Sequence, residues 1–275
     1  MLKKLLKYDF QSVMKYWWIA AISSLALSFV GGGCVSLLTR EKELPDLVYP
    51  FIIFALILVV LSFVVFYLMT FIFVFVRFYR NFFTDEGYLT FTLPVKRSQL
   101  LNSKLIMSVV MLFVTFLVYL LEILIVVCIG FFDEIVAPEF WQELSKGIEL
   151  LWDSFGGYLI IYVLEFLILF ILALVFSTLF LFCCITFASI ITKKAKVLVA
   201  IGIYYVANSI FSFVVQMFYL FAIPSLSSKI FALNMEAGVP ALALVLFGII
   251  CFVSIFCALL YTLQYWMMDR KLNLS

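Results

Sequence analysis

Histidine is absent from the 275 residues. Histidine is the general base of Ser-His-Asp triads and the metal ligand of HExxH proteases, most zinc sites and many haems, so its absence excludes these sites. The P-loop motif G-x-x-x-x-G-K-[ST] is absent as well, and the chain therefore does not bind ATP through a P-loop of its own. The six cysteines lie in apolar stretches without a C-x-x-C pair. We predict no catalytic residue, no metal site and no cofactor in this chain.

Charge is also scarce, whereas apolar residues dominate. Only 12% of the residues are charged, 67% are hydrophobic, and the mean hydropathy is +1.25. Soluble domains are near half apolar and about a quarter charged. The composition therefore predicts a polytopic membrane protein, with membrane lipid as a partner and no nucleic acid. The phenylalanine, lysine and isoleucine usage points to an AT-rich bacterial genome, and hence to a bacterial cell membrane.

Six apolar segments are long enough to cross a bilayer. They cover residues 17–38, 48–76, 105–132, 158–192, 197–224 and 239–268. We therefore predict an all-α membrane protein with six transmembrane helices, forming a single domain over residues 1–275. Five tryptophans near the predicted ends of the spans fit anchors of the interfacial belt: Trp17, Trp18, Trp141, Trp152 and Trp266.

The distribution of basic residues predicts the orientation. With the N-terminus inside, only Arg40, Lys42, Lys146 and Lys229 of the 18 basic residues would lie outside. The outer loop at residues 133–157 would be acidic. Because cytoplasmic loops carry the excess of Lys and Arg, both termini are predicted to be cytoplasmic.

The first sixteen residues are neither a span nor a cleavable signal. Apolar side chains recur at helical spacing between Leu2 and Trp17, with lysines on the other side. This pattern predicts a basic amphipathic helix over residues 1–16 that lies in the membrane interface and bends sharply into the first span.

Polar residues inside the predicted spans are few. Glu122 and Glu165 lie at similar depth on consecutive antiparallel spans, so the two could be neighbours or face one polar cavity. A role in substrate passage and a protonated acid hydrogen-bonded between helices both stay open. Asn208 and Gln216 share a face of the fifth span, where helix packing is the favoured interpretation and a place on the pathway the other.

The loop at residues 77–104, predicted to be cytoplasmic, combines charges with aromatic residues. Phe78, Phe82 and Phe83 fall on one side of a helix that continues the second span, Gly87 breaks that helix, and Pro94 opens a new segment. A loop that only fixed topology would not need exposed aromatic side chains such as Phe83, Tyr88 or Phe91. The pattern favours a docking surface for a protein partner.

Residues 85–106, DEGYLTFTLPVKRSQLLNSKLI, resemble the cytoplasmic loop of type-2 ABC transporter permeases. An acidic-Gly pair, an apolar patch ending in Leu-Pro, a basic-polar stretch and LLxxK precede the third span in both. The resemblance is local in sequence, while the topology agrees over the whole chain. It implies an N-terminal elbow helix, a coupling helix in the loop 77–104 that sits in a cleft of an ATPase subunit, and re-entrant helices in the outer loop 222–240.

The resemblance also implies partners and site residues. The chain would pair with a second permease subunit, the same or a paralogue, and with two ATPase subunits that hold ATP and Mg. The residues implied in ATPase coupling are Phe83, Asp85, Glu86, Gly87, Tyr88, Leu93, Pro94, Lys96, Arg97 and Lys104. No importer-type coupling loop or docking domain is apparent, which favours export, and apolar walls favour an amphipathic, peptide or lipid-like substrate.

Two other functions stay open. A proton-coupled secondary transporter would use Glu122 and Glu165 as proton sites, although no internal repeat accompanies them. A membrane sensor or immunity protein that transports nothing would bind a peptide at its acidic outer loop. An intramembrane hydrolase would need a nucleophile with a base, or paired aspartates, and no aspartate lies within a span.

Overall fold

A computed structural model describes residues 2–39, 45–84, 87, 96–192, 195–231 and 235–270. These residues form eight helices and no strand. The helices are α1 (Leu2–Thr39), α2 (Val48–Phe83), α3 (Arg97–Gly130), α4 (Phe132–Val136), α5 (Pro138–Phe155), α6 (Tyr158–Ile191), α7 (Lys196–Phe231) and α8 (Met235–Arg270).

Six of these helices are long and apolar enough to cross a membrane. The stretches that meet this criterion are Leu6–Thr39, Val48–Phe83, Arg97–Gly130, Tyr158–Ile191, Lys196–Met217 and Val239–Asp269. Each overlaps one predicted apolar segment, so the prediction of an all-α protein with six such helices is confirmed. The helices fit a multi-pass membrane protein, and the sides of the two termini stay a prediction.

Residues 2–16 and parts of two predicted outer loops are helical in the structure. α1 runs without a break from Leu2 to Thr39, so the structure does not separate residues 2–16 from the first span, and the interfacial helix stays a prediction. The acidic loop 133–157 contains α4 and α5. Within the loop 222–240, α7 continues to Phe231 and α8 begins at Met235. Re-entrant helices there stay a prediction.

The packing divides the chain into two compact units. Unit 1 comprises Met1–Arg77 and Ile106–Glu149, and unit 2 comprises Phe78–Leu105 and Leu150–Ser275. The chain passes from unit 1 to unit 2 inside α2 and returns inside α3. The prediction of one permease domain over residues 1–275 is not tested by this division.

Unit 1 is built around Trp17, whose side chain is fully buried. Its indole Nε1–H lies 3.1 Å from Thr70 Oγ1 on α2 and 3.2 Å from Thr115 Oγ1 on α3, so one donor is shared between two acceptors. The ring also packs against Phe66, with 5.6 Å between ring centroids. Because a belt anchor faces lipid and headgroups, the prediction for Trp17 is wrong, whereas Trp18 is half exposed.

Glycines bring α1 close to its neighbours in unit 1. A Cβ on Gly32 would lie 2.8 Å from Cβ of Ile129, and one on Gly130 would lie 2.6 Å from Cγ1 of Val35. Thr39 Oγ1 donates to the carbonyl oxygen of Gly130 at 3.0 Å. Small residues at such crossings let helix backbones approach, which is how membrane helices pack without a hydrophobic driving force between them.

Unit 2 packs most densely along the second half of α6. Buried residues there include Leu179, Leu181, Phe182, Cys183 and Cys184. All six cysteines are free. Cys183 and Cys184 therefore fill space in the interior as small apolar side chains do.

Candidate functional site

The structure describes half of the residues implied in ATPase coupling. Phe83, Gly87, Lys96, Arg97 and Lys104 are described. The other five lie outside the described residues: Asp85, Glu86, Tyr88, Leu93 and Pro94. What the structure defines is therefore how the two flanks of the loop 77–104 are held.

The first flank is the end of α2, where the aromatic residues point inward. Phe78 and Phe82 are buried, and the Phe78 ring stacks on Phe182 of α6 at 3.7 Å between centroids and 7° between planes. The prediction of exposed aromatic residues is therefore wrong for Phe78 and Phe82, because their face of α2 packs inside unit 2. Phe83 is half-buried.

Gly87 follows α2, which ends at Phe83, and is itself helical. Its backbone N–H donates to the carbonyl oxygen of Thr84 at 2.7 Å. A Cβ at this position would lie 2.8 Å from the carbonyl oxygen of Phe82, a backbone atom that cannot rotate away. The helix therefore ends before Gly87, at Phe83, and the predicted break at Gly87 itself is wrong; the close approach to the Phe82 backbone explains why this position has no side chain.

The second flank is the start of α3, which is tied to the end of α8. Arg97 Nη1 lies 3.0 Å from Oδ1 of Asp269 and 3.1 and 2.8 Å from the carbonyl oxygens of Met268 and Asp269. A cation at these last carbonyls stabilises the C-terminal end of the helix. Arg97 remains partly exposed, at 43% of its side chain, and Lys96 is exposed.

Further along α3, two polar residues point into unit 2. Asn102 Oδ1 accepts a hydrogen bond from the Tyr261 hydroxyl at 2.8 Å. Lys104 is buried, with 5% of its surface exposed, so its side chain is not displayed on the surface of the described chain. A part for Lys104 in ATPase coupling stays a prediction, but a direct contact would require it to leave this position.

A further hydrogen bond joins α8 to α6. Gln264 is fully buried, and its Nε2 donates to Thr186 Oγ1 at 2.8 Å. Thr186 in turn donates to the carbonyl oxygen of Phe182, the residue on which Phe78 stacks. The two flanks of the loop are therefore joined through α6 and α8.

Glu122 is fully buried in unit 1. Ser24 Oγ donates to its Oε1 at 2.5 Å, and its Oε2 finds no hydrogen-bond partner among the described residues. The carboxyl group is thus held at one oxygen by α1, and its other oxygen can carry a proton.

Glu165 is 8% exposed and belongs to unit 2. Its Oε2 likewise has no hydrogen-bond partner within the described part of the chain. One turn earlier on α6, the Tyr162 hydroxyl donates to the carbonyl oxygen of Val239. Glu122 and Glu165 lie in different units, and whether they are neighbours or face one polar cavity stays a prediction.

α7 carries an exposed polar stripe. Asn208 and Gln216 are both exposed, as are three further polar residues in helical register with them: Tyr205, Ser209 and Ser212. The prediction that Asn208 and Gln216 share a face agrees with this register. No side chain of the described chain covers Asn208 and Gln216. Lipid hydrocarbon cannot form hydrogen bonds with their amide groups, so this exposure is unfavourable in a membrane.

A groove between α1 and α2 lies within unit 1. Its volume is about 700 Å³, and most of its lining is apolar. The lining residues that carry hydroxyl groups are Tyr16, Ser23, Ser24 and Ser62. Ser24 is also the residue that donates to Glu122, so a ligand in the groove would lie next to the residue that holds this acid.

Sequence reasoning missed an ion pair between Asp9 and Arg77. Asp9 is 4% exposed, and Arg77 Nη2 lies 2.8 Å from its Oδ1. The pair fastens the segment before the first apolar stretch to α2, where the loop 77–104 begins. The spacing of the sequence indicates the burial of Asp9, because Asp9, Val13 and Trp17 follow at intervals of four residues and so share the apolar face of the helix rather than the face of the lysines.

No protein-family model, curated protein or solved structure matches the chain. Among the described residues, no group of three His, Cys, Asp or Glu side chains is arranged to hold a metal ion. The functional argument therefore depends on the geometry of the chain itself.

Proposed function

We propose that the chain is the transmembrane subunit of an ATP-driven ABC transporter in a bacterial cell membrane, with both termini cytoplasmic. It exports an amphipathic, peptide or lipid-like substrate. The loop 77–104 contacts a separate ATPase subunit, present in two copies, which holds ATP and Mg. The chain itself supplies the pathway and the mechanical connection.

The observation that carries this proposal is the attachment of both loop flanks to the same pair of spans. Phe78 is stacked on α6, Arg97 is bonded to the end of α8, and Gln264 joins α8 to α6. Packed side chains transmit displacement because interiors are dense and resist compression. A push on the loop would therefore move α6 and α8 together, as a coupling element requires.

The polar stripe of α7 supports a second membrane subunit. Amide side chains both donate and accept hydrogen bonds, so Asn208 and Gln216 can pair with the same residues on another copy or on a paralogue. Replacing both by leucine is expected to shift the purified protein towards the monomer in light scattering, whereas Ser254→Leu on α8, also exposed, should not.

The groove between α1 and α2 supports the proposed substrate class. Apolar walls with a few hydroxyl groups suit an acyl chain or an apolar peptide segment better than a sugar. Its volume is within the range of small-molecule sites, roughly 300–1,000 Å³.

A pull-down tests the proposal. The tagged protein is purified from its native membrane in mild detergent, partners are identified by mass spectrometry, and ATP hydrolysis is measured on the eluate. A P-loop ATPase should co-purify and be lost from Glu86→Lys and Tyr88→Ala. The matched control is Glu149→Lys on α5, the same charge reversal in the loop predicted to face the other side, which should retain the ATPase. Isolation of the chain without any ATPase would overturn the proposal.

A second candidate function is proton-coupled transport, favoured by the buried carboxyl oxygens of Glu122 and Glu165. Intramembrane acids of this kind mark proton pathways in transporters. A carrier of this class would move protons into proteoliposomes without an ATPase, followed with a trapped pH-sensitive dye. The flux would disappear in Glu122→Gln or Glu165→Gln. No such flux is expected of an ABC permease.

A further inference from the structure

α5 has two chemically distinct sides. Phe140, Leu144, Ile148, Leu151 and Phe155 follow one another at intervals of three or four residues and so share one face. Trp141 and Trp152 lie at the edge of that face. The opposite face carries polar and charged residues: Glu139, Gln142, Glu143, Lys146, Glu149 and Asp153.

The described chain leaves most of the apolar face of α5 uncovered; at its end, Phe155 is half-buried, with its ring 5.9 Å from that of Tyr162. No residue of α5 is buried. Ile148 is 59% exposed, Leu151 51% and Trp152 53%. A contiguous row of large apolar side chains in water would be costly, and such patches mark contact with a protein or a membrane.

The helices on either side of α5 indicate that its apolar face contacts the membrane rather than a protein. α3, a spanning helix, ends at Gly130, and only Phe131, α4 and Ala137 precede α5. After α5, the spanning helix α6 begins at Tyr158. Gly156 adopts the left-handed conformation with φ of 52°, and its N–H donates to the carbonyl oxygen of Trp152 at 2.7 Å. This ends α5 and lets the chain change direction within two residues.

These tethers keep α5, about 27 Å long at roughly 1.5 Å per residue, at the bilayer surface at both of its ends. Trp is enriched at the boundary between acyl chains and headgroups, and α5 offers two of them on its apolar side. Its polar face carries four acids and one lysine. That charge favours zwitterionic headgroups, unlike basic surface helices that seek anionic lipid.

We propose that α5 is a lipid-binding surface helix. Its apolar face, from Phe140 to Phe155, lies at the acyl-headgroup boundary on the side of the membrane where α3 ends and α6 begins, and its acidic face points to water. This inference does not depend on ATP coupling, since any transporter or sensor with these spans would carry the same helix.

Lipid quenching of tryptophan fluorescence tests the proposal in the full chain. Trp18, Trp141, Trp152 and Trp266 are replaced by Phe, leaving the buried Trp17 as an internal reference. One reporter is then added on the apolar face by Leu144→Trp or, as the matched control two residues along the same helix, on the polar face by Lys146→Trp. Each variant is reconstituted at one chain per nanodisc of phosphatidylcholine, with and without brominated acyl chains.

The Leu144→Trp reporter should be quenched several-fold more strongly than the Lys146→Trp reporter and should emit at shorter wavelength. Equal quenching of the two would show that α5 does not lie with its apolar face in lipid. A blue-shifted but unquenched Leu144→Trp reporter would show that protein covers the face. Either of these results overturns the proposal. Loss of an ATPase partner in the earlier pull-down would leave the expected result unchanged.

Discussion

Three consecutive glycines of α1 allow a sharp test of how unit 1 is packed. Gly31, Gly32 and Gly33 lie side by side in sequence but face different surroundings. Replacing each in turn by alanine adds the same methyl group at three orientations. The chemistry is therefore constant, and only the neighbouring atoms differ.

The expected magnitudes follow from the distances. A methyl group on Gly32 would lie 2.8 Å from Cβ of Ile129, a branch point that cannot rotate away, so α1 and α3 must separate. Overpacking of this kind costs about 1–3 kcal/mol. On Gly31 the methyl would meet Cγ1 of Val59 at 3.0 Å, which side-chain adjustment can relieve in part. A methyl group on Gly33 would meet nothing within 4 Å. Gly33→Ala should therefore stabilise the protein by about 0.5–1 kcal/mol, because alanine favours the helix over glycine by that amount.

The assay is equilibrium unfolding in mixed micelles, followed by circular dichroism. Gly32→Ala should be the least stable variant, Gly31→Ala intermediate, and Gly33→Ala at least as stable as the parent protein. Adding Val59→Ala should remove the clash in Gly31→Ala and leave Gly32→Ala unrelieved. Equal stability of the three variants, or a destabilised Gly33→Ala, would refute the close packing of α1 on α3.

Two further predictions concern the ends of the loop 77–104. Arg77→Gln removes a cation that pairs with the buried Asp9 and should destabilise the protein by about 1.5–3 kcal/mol, the value of a hydrogen bond to a charged group, in the same unfolding assay. Adding Asp9→Asn should restore part of the loss, and no recovery would mean that the loss does not come from the Asp9 carboxylate. Gly87→Ala must displace the backbone of Phe82 and should reduce recovery of the ATPase at least several-fold in the pull-down, whereas Gly147→Ala, which has open space around it, should not.

Hydropathy was enough to locate the six spans, because apolar stretches of this length have few other uses. It could not separate lipid-facing from buried residues, since both are apolar. This is why Trp17 was assigned to the belt although it lies at the centre of unit 1. Spacing places Phe78 and Phe82 on one face of α2, but it does not show whether that face meets solvent or packs on α6.

Two features were readable from spacing but were overlooked. Residues 138–155 were interpreted through their acidic charge alone, although the period of their apolar residues predicts a two-sided helix. Asp9 stands among lysines in sequence, although its register places it on the apolar face. The contacts of Arg97 and Gln264 with distant helices depend on tertiary packing and could not be derived from local sequence.

The position of Trp17 has a consequence for the order of biogenesis. Its indole N–H takes acceptors from α2 and α3, which leave the ribosome after α1 has entered the membrane. Until Thr70 of α2 arrives, α1 carries a polar group that hydrocarbon does not satisfy, and Thr115 of α3 adds a second acceptor. We therefore expect the first span to remain at the insertion machinery until the second has emerged, and the third to complete the bundle while α6 to α8 are still being made.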